Sequence, residues 1–188
     1  MKSIIIWGTA RSGKSTFAQQ IKKKYGHNWI EIDALRKFYD KIYPQDKIFE
    51  KEDFEQGKIL ASSLTSYIQE LEYTTKNNGE YFIFEGVSLD LEYILSNLIT
   101  KNNYIFICMA YPDISIEEKL NEIQKYETKY DWTYKYNENN KRVIVKNKLN
   151  ESHVVQEIAK KLNLKFINTS NRKEGFKEAF KYIEENLI

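Results

Sequence analysis

Eight consecutive residues near the amino terminus, Gly8-Thr9-Ala10-Arg11-Ser12-Gly13-Lys14-Ser15, carry the spacing G-x-x-x-x-G-K-[ST]. The glycines of this pattern permit a bend whose successive backbone N–H groups point inward and bind an anion. The apolar run Ile4-Ile5-Ile6-Trp7 precedes it, and Phe17, Ala18, Ile21 and Tyr25 follow at helical spacing, closed by Lys22-Lys23-Lys24 and Gly26. Strand, loop and helix in that order predict a triphosphate site, because the helix start near Lys14 adds its positive dipole end to the inward N–H groups. Residues Gly8 to Thr16 are expected to form the cradle, with Lys14 reaching the β and γ phosphates. The Ser15 hydroxyl is expected to take one position on Mg²⁺, an ion that prefers oxygen ligands.

Other chemistry-bearing residues follow the remaining apolar runs. Asp33 and Arg36 come after Trp29 to Ile32, Glu85 and Gly86 after Tyr81 to Phe84, and Thr169, Ser170, Asn171 and Arg172 after Lys165 to Asn168. Asp33 has two readings: a helix N-cap, or a carboxylate that orients or deprotonates an acceptor hydroxyl for attack on the γ phosphorus. Arg36, one helical turn later, is either a solvated charge or a planar bidentate grip on an anionic group of the acceptor. A carboxylate at the end of a buried strand needs a partner, so Glu85 is read as a second Mg²⁺ holder and Gly86 as a point of close backbone approach. After Asp131-Trp132-Thr133, the polar stretch Tyr134 to Lys141 reads as a mobile excursion. Lys135 and Arg142 are the candidates for a cation carried by a closing lid, against the alternative of solvated loop charges.

The elements that must hold these residues alternate. Short apolar runs near Ser3–Trp7, Trp29–Ile32, Tyr81–Glu85, Tyr104–Ala110 and Lys165–Asn168 are separated by amphipathic stretches. Alternation implies crossover connections and a parallel sheet covered on both faces, with ligands at the carboxyl ends of its strands. One helix carries Ala61, Leu64, Ile68, Leu71 and Thr75 on a stripe and is expected to stop at Asn77-Asn78-Gly79. Another starts at the capping box Ser115-Ile116-Glu117-Glu118, and the last starts at Asn171 with Glu174 three residues on. The helix after Asp33 is expected to bury Leu35, Phe38, Tyr39 and Ile42. Most of Phe38, Tyr39, Tyr43, Phe49 and Phe54 are expected in the core.

At 188 residues, with 41% hydrophobic and 30% charged residues, the chain predicts one domain, 1–188, with the lid excursion at about 131–142. A net charge of +2 gives no basic footprint for nucleic acid. No apolar run reaches the length of a membrane span. The single cysteine, Cys108, lies in an apolar run and reads as a buried core residue; with no signal-peptide pattern at the amino terminus, a cytoplasmic location is expected. His27 and His153 lack metal-ligand spacing and are expected at the surface or at helix ends. The four arginines are Arg11, Arg36, Arg142 and Arg172.

Together the loop Gly8–Ser15, Ile32-Asp33-Ala34-Leu35-Arg36, Phe84-Glu85-Gly86-Val87-Ser88-Leu89, Asp131-Trp132-Thr133 and Phe166-Ile167-Asn168-Thr169-Ser170 resemble the adenylate-kinase-like family of small P-loop kinases. Within it, the Glu-Gly-Val-x-Leu and Asp-x-x-Arg elements are similar to those of 2-phosphoglycerate-kinase-type members. The resemblance implies a three-layer α/β/α P-loop nucleotide kinase fold with a five-stranded parallel sheet and a small lid. It further implies that Lys14 and Ser15 hold MgATP, that Thr169 to Arg172 line the adenine pocket, and that 131–142 is the lid. Four arginines are too few to clamp two nucleotides in the usual way, and Glu85 stands where aspartate is typical, so a nucleoside monophosphate acceptor is not implied. The expected activity is MgATP-dependent transfer of the γ-phosphoryl group to a small-molecule acceptor, with Lys14, Asp33 and Arg142 as the catalytic candidates. The alternative is a nucleotide-binding regulator or slow NTPase switch. Asn147-Lys148-Leu149-Asn150 is similar to the guanine-reading element of small GTPases, but Asn150 lacks the carboxylate that would accept from both guanine donors.

Overall fold

The computed structural model describes residues 1–75 and 78–188. Five strands, β1 (Ser3–Gly8), β2 (Asn28–Glu31), β3 (Phe82–Gly86), β4 (Tyr104–Ala110) and β5 (Lys165–Asn168), alternate with helices. They pair in the order β2-β3-β1-β4-β5, every pair parallel. The helices are α1 (Lys14–Tyr25), α2 (Ile32–Ile42), α3 (Asp53–Thr75), α4 (Leu91–Asn97), α5 (Ile116–Tyr126), α6 (Glu138–Lys161) and α7 (Arg172–Asn186).

The sheet is apolar on both faces, as a covered parallel sheet requires. Successive β1 side chains alternate between two cores. Ile4 and Ile6 pack with Phe17, Ala18 and Ile21 of α1 and with Phe176, Ala179 and Ile183 of α7. Ile5 and Trp7 face Leu60, Leu64 and Ile68 of α3, Ile94 of α4, and Val155 and Ala159 of α6. Burying each Leu or Ile stabilises by roughly 1.5–3 kcal/mol. This double burial fixes β1 in the middle of the sheet and presents the loop after it at the carboxyl edge. Cys108 is fully buried, and burial pushes its thiol up to about 12.

Local signals place several boundaries as expected. Gly26 ends α1 in the left-handed region and donates its N–H to Lys22 O at 3.0 Å, beside the basic last turn. Ser115 forms the capping box with Glu118, and the Asn171 side chain accepts from Glu174 N–H at the start of α7. The stripe on α3 is present to Thr75; the expected stop at Asn77 lies outside the described residues.

Other expectations are corrected. Asp33 is not the N-cap of α2: that position is Glu31, and no side chain caps the helix. Phe38 and Ile42 are 62% and 49% exposed rather than buried, and Tyr43 and Phe49 are likewise open, while Tyr39 and Phe54 pack partly against the core. α2 follows an edge strand only four residues long, so its apolar residues outnumber what the sheet can cover. His27 lies at a helix end, just after the C-cap of α1, but is buried rather than at the surface, with Nε2 2.9 Å from Lys2 O, and burial pushes its pKa down. The polar stretch 134–141 is not one excursion: Asn137 accepts from Asn140 N–H and starts α6, leaving turns only over 127–136.

Gly86 allows β3 to press against the start of α2, since a Cβ there would lie 2.7 Å from Ile32 Cβ. Gly86→Ala is therefore expected to destabilise the fold by about 1–3 kcal/mol, read as a lower urea midpoint at unchanged slope.

Candidate active site

The loop after β1 has the backbone that its glycines permit. Gly8 has φ +144°, and a Cβ on it would strike Met109 O at 1.9 Å. Gly13 has φ +91° and precedes α1, whose first turn is Lys14, Ser15, Thr16 and Phe17. Thr9 and Ser12 are buried, and Ser12 Oγ has no hydrogen-bond partner among the described residues. Thr16 is exposed on the outer side of the turn. The Lys14 ammonium is 5% exposed and donates to Gly8 O at 3.0 Å and Thr9 O at 2.8 Å. Burial pushes its pKa down, opposed by the nearby charges of Glu85, Asp33 and Asp53.

Glu85 lies on the strand beside β1, in register with Ile6, and is 3% exposed. Burial pushes its pKa up, while Lys14 and a hydrogen bond from the Ser15 hydroxyl pull it down. Asp33 acts on both Lys14 and Glu85, and its Oδ1 is buried without a hydrogen-bond partner among the described residues. Lys14, Ser15, Asp33, Glu85 and Gly86 are thus brought together at the carboxyl ends of β1, β2 and β3.

Arg36 joins this group through neighbours that sequence reasoning missed. Its NH1 donates to Gln56 Oε1 at 2.8 Å and Ser88 Oγ at 3.1 Å, and lies 3.5 Å from Asp53 Oδ1. Its NH2 is 3.6 Å from Asp33 Oδ1, and the guanidinium sits 5.1 Å from the centre of the Phe49 ring. Lys148 of α6 reaches Asp53 Oδ2 and Glu151 Oε1, each at 2.7 Å. Burial would lower the Lys148 ammonium, but Asp53 and Glu151 outweigh it and hold it above its ordinary value. Burial raises the Glu151 carboxyl despite Lys148. Asp53 and Gln56 sit on α3 without any motif around them, and Lys148 drew notice only through Asn147-Lys148-Leu149-Asn150, whose resemblance pointed to a different role; only Ser88, two residues after Gly86, lies where a strand-end search looks.

Arg11 spends its side chain away from the loop. Its NH1 is 2.5 Å from Asp131 Oδ1, and its NH2 is 3.8 Å from Glu127 Oε1. Glu127 also takes Lys141 at 2.5 Å and the Thr133 hydroxyl. Arg142 is placed elsewhere than expected: its guanidinium chelates Glu117 on α5 at the exposed seam with α6. Lys135 stacks on Tyr136, 5.2 Å from its ring centre. The segment meets the loop through Asp131 and Glu127, acidic groups holding a loop arginine.

On the other flank, Thr169 is buried and its N–H and Oγ1 both donate to Ala110 O. Ser170 Oγ accepts from Asp113 N–H at 3.0 Å, and Asn171 caps α7. Arg172 lies beside the loop, its Nε 3.4 Å from where a Gly13 Cβ would sit, and its NH2 pairs with Glu122 at 2.5 Å. Ser170 and Asn171 also line a groove of about 840 Å³ that runs along α7 toward Lys24 and Glu184.

Solved structures share this architecture. Deoxyadenosine kinase from M. mycoides, with products dCMP and dCDP bound, superposes with TM-score 0.52 at 16% identity, covering 97% of this chain and 99% of that one. TT1252 from Thermus thermophilus gives 0.54 at 15% identity over 100% and 98%. Shikimate kinase from Bacteroides thetaiotaomicron gives 0.51 at 10% identity over 98% and 99%. The fold is that of the P-loop small-molecule kinases. The same deoxyadenosine kinase with bound dATP superposes with TM-score 0.51 at 15% identity, over 98% and 100%. No protein-family model and no curated protein sequence matches the chain. Among the described residues, no helix is long and apolar enough to cross a membrane.

Burial raises the Asp131 carboxyl, but the Thr128 N–H, the Thr128 hydroxyl and Arg11 outweigh it and hold it below its ordinary 3.8. A carboxyl lowered by folding contributes stability above its unfolded pKa and loses it as pH falls through the folded one. Asp131→Asn is therefore expected to cost about 1 kcal/mol near neutral pH. Chemical denaturation of both proteins should show that gap closing as pH falls below 3.8.

Proposed function

We propose that the protein is a MgATP-dependent phosphotransferase that moves the γ-phosphoryl group to a hydroxyl of a small-molecule acceptor. The observation that carries this reading is the convergence of Lys14, Ser15, Glu85 and Asp33 on one strand-end crevice, with a glycine-shaped loop at its base. The N–H groups of the loop and the α1 dipole suit a polyphosphate. Lys14 would neutralise charge gathering on the transferring group, so catalysis rests on positioning and electrostatics. Thr169 to Arg172, of which Arg172 lies beside Gly13, would border the nucleotide base.

Ser15 and Glu85 offer a hydroxyl and a carboxylate oxygen to one another, a donor pair that fits magnesium. Among the described residues no group of three His, Cys, Asp or Glu side chains forms a metal cage. Magnesium held by one or two protein oxygens together with phosphates needs none. Ser15 and Glu85 would hold the ion, which when bound would neutralise phosphate charge during transfer. Asp33, whose buried Oδ1 accepts no hydrogen bond among the described residues, would accept that of the attacking hydroxyl and then its proton. Arg36, anchored by Gln56 and Ser88, would hold Asp33 and face the acceptor.

The alternative of a guanine-nucleotide switch loses support from α6, because Asn147 to Asn150 lie within that helix and not at the end of a strand. Acceptor-stimulated ADP release, scored across nucleosides, nucleotides, sugars and small hydroxy acids, separates a kinase from a slow NTPase.

Lys14→Ala is expected to lower that stimulated rate at least about 100-fold in a protein that still unfolds cooperatively on heating. Asp33→Asn is expected to lower kcat by about 10²–10⁴ with MgATP affinity retained; full turnover would remove Asp33 from the mechanism.

A further inference from the structure

The polar rear of the phosphate loop is occupied by two side chains that the proposed chemistry does not use. Tyr111, the residue after β4, is 1% exposed, and its hydroxyl donates to Ala10 O at 2.9 Å. Lys119 of α5 is also 1% exposed, and its ammonium donates to Arg11 O at 2.9 Å and to Glu122 Oε2 at 2.6 Å. The same ammonium lies 3.8 Å from the centre of the Tyr111 ring. The two side chains therefore form one unit against consecutive carbonyls of the loop.

A buried lysine is costly to keep, and this one has partners on every side. In a planar trans peptide the C=O and the following N–H point in opposite directions. Holding Ala10 O outward turns the Arg11 N–H inward, and holding Arg11 O outward orients the Ser12 N–H, which bends to Thr9 O at 3.2 Å. Thr9 to Ser12 contain no glycine, and Arg11 sits at φ +65°, a conformation that the contacts from Lys119 and Tyr111 help to hold.

We propose that Lys119 and Tyr111 are positioning residues for nucleotide binding: they clamp the Ala10 and Arg11 carbonyls from behind, so that the loop backbone between them, with the Arg11 N–H turned to the other side, is set for the polyphosphate before it arrives. The proposal rests on the phosphotransferase reading and adds to it a control on affinity that responds to pH. Burial pushes the Lys119 ammonium down to about 8, against the pull of Glu122, and Arg172 and Arg11 push in the same direction as burial. The groups that face it are Glu122 from its own helix, Arg172 from α7, Arg11 from the loop, and the Tyr111 phenol, itself raised by burial and by Glu151 of α6 and Glu122. A polyphosphate on the far side of the loop favours the charged lysine, so affinity falls as pH rises through about 8.

Titration calorimetry with MgATP on the full chain tests this. Tyr111→Phe removes one hydroxyl and keeps the packed ring; its Kd is expected to rise about 5- to 10-fold, with the ligand-free thermal midpoint little changed. Lys119→Met is expected to raise Kd at least about tenfold and to flatten its rise between about pH 7 and 9, and Lys119→Arg to recover much of the loss. Lys14 is present in all of these proteins, so the difference between pH profiles reports Lys119. Wild-type Kd and pH profile in folded Tyr111→Phe and Lys119→Met would overturn the clamp and leave the kinase reading standing. Absence of MgATP binding by the wild-type protein would overturn both.

Discussion

A lysine ammonium and a glutamate carboxylate are buried beside the ends of two neighbouring strands, and the charge of each offsets part of the other's loss of water. Lys14 begins the helix after β1 and Glu85 lies on β3, one pairing step from Gly86. Their opposite pKa displacements share one cause, loss of water, and each moderates the other. Several neighbouring features bring the two charges close. The central position of β1 brings the strands side by side, Gly86 lets Ile32 close the gap, and the loop carbonyls of Gly8 and Thr9 take the hydrogen bonds of the Lys14 ammonium.

Outward from that pair, charge is arranged in linked sets. Asp33 and Arg36 from α2, Asp53 from α3, and Lys148 and Glu151 from α6 form a chain in which each cation touches two carboxylates. On the opposite side Arg11, Asp131, Glu127 and Lys141 form a second chain. Partly buried pairs of this kind are worth more for the geometry they fix than for stability, because desolvation consumes much of their attraction. The two chains hold α3, α6 and the turns after α5 in register with the phosphate loop.

What the sequence makes legible is local. The loop, the strand ends and the caps at Ser115 and Asn171 each depend on residues within a few positions, and the structure has them where short-range chemistry puts them. Helical spacing gives a face but not what lies opposite it, which is why Phe38 and Ile42 depart from expectation: an edge strand leaves them nothing to pack against. The neighbours of Arg36 and the partners of Arg11 lie up to 120 positions away on polar helix faces and turns, where no periodicity marks one charge from another. Composition also misleads at 137–141, because polarity there belongs to the solvent side of a helix start and not to a loop.

The 24-residue α6 spans about 36 Å as one unbroken rod. It touches the phosphate loop through a hydroxyl pair, Ser152 Oγ to Thr9 Oγ1 at 3.2 Å. Lys141, which grips Glu127, stands about 16 Å up the rod from that point. With Ser152 as the fixed point, a tilt of only about 5° would sweep the far end through more than about 1 Å, enough to make or break an ion pair.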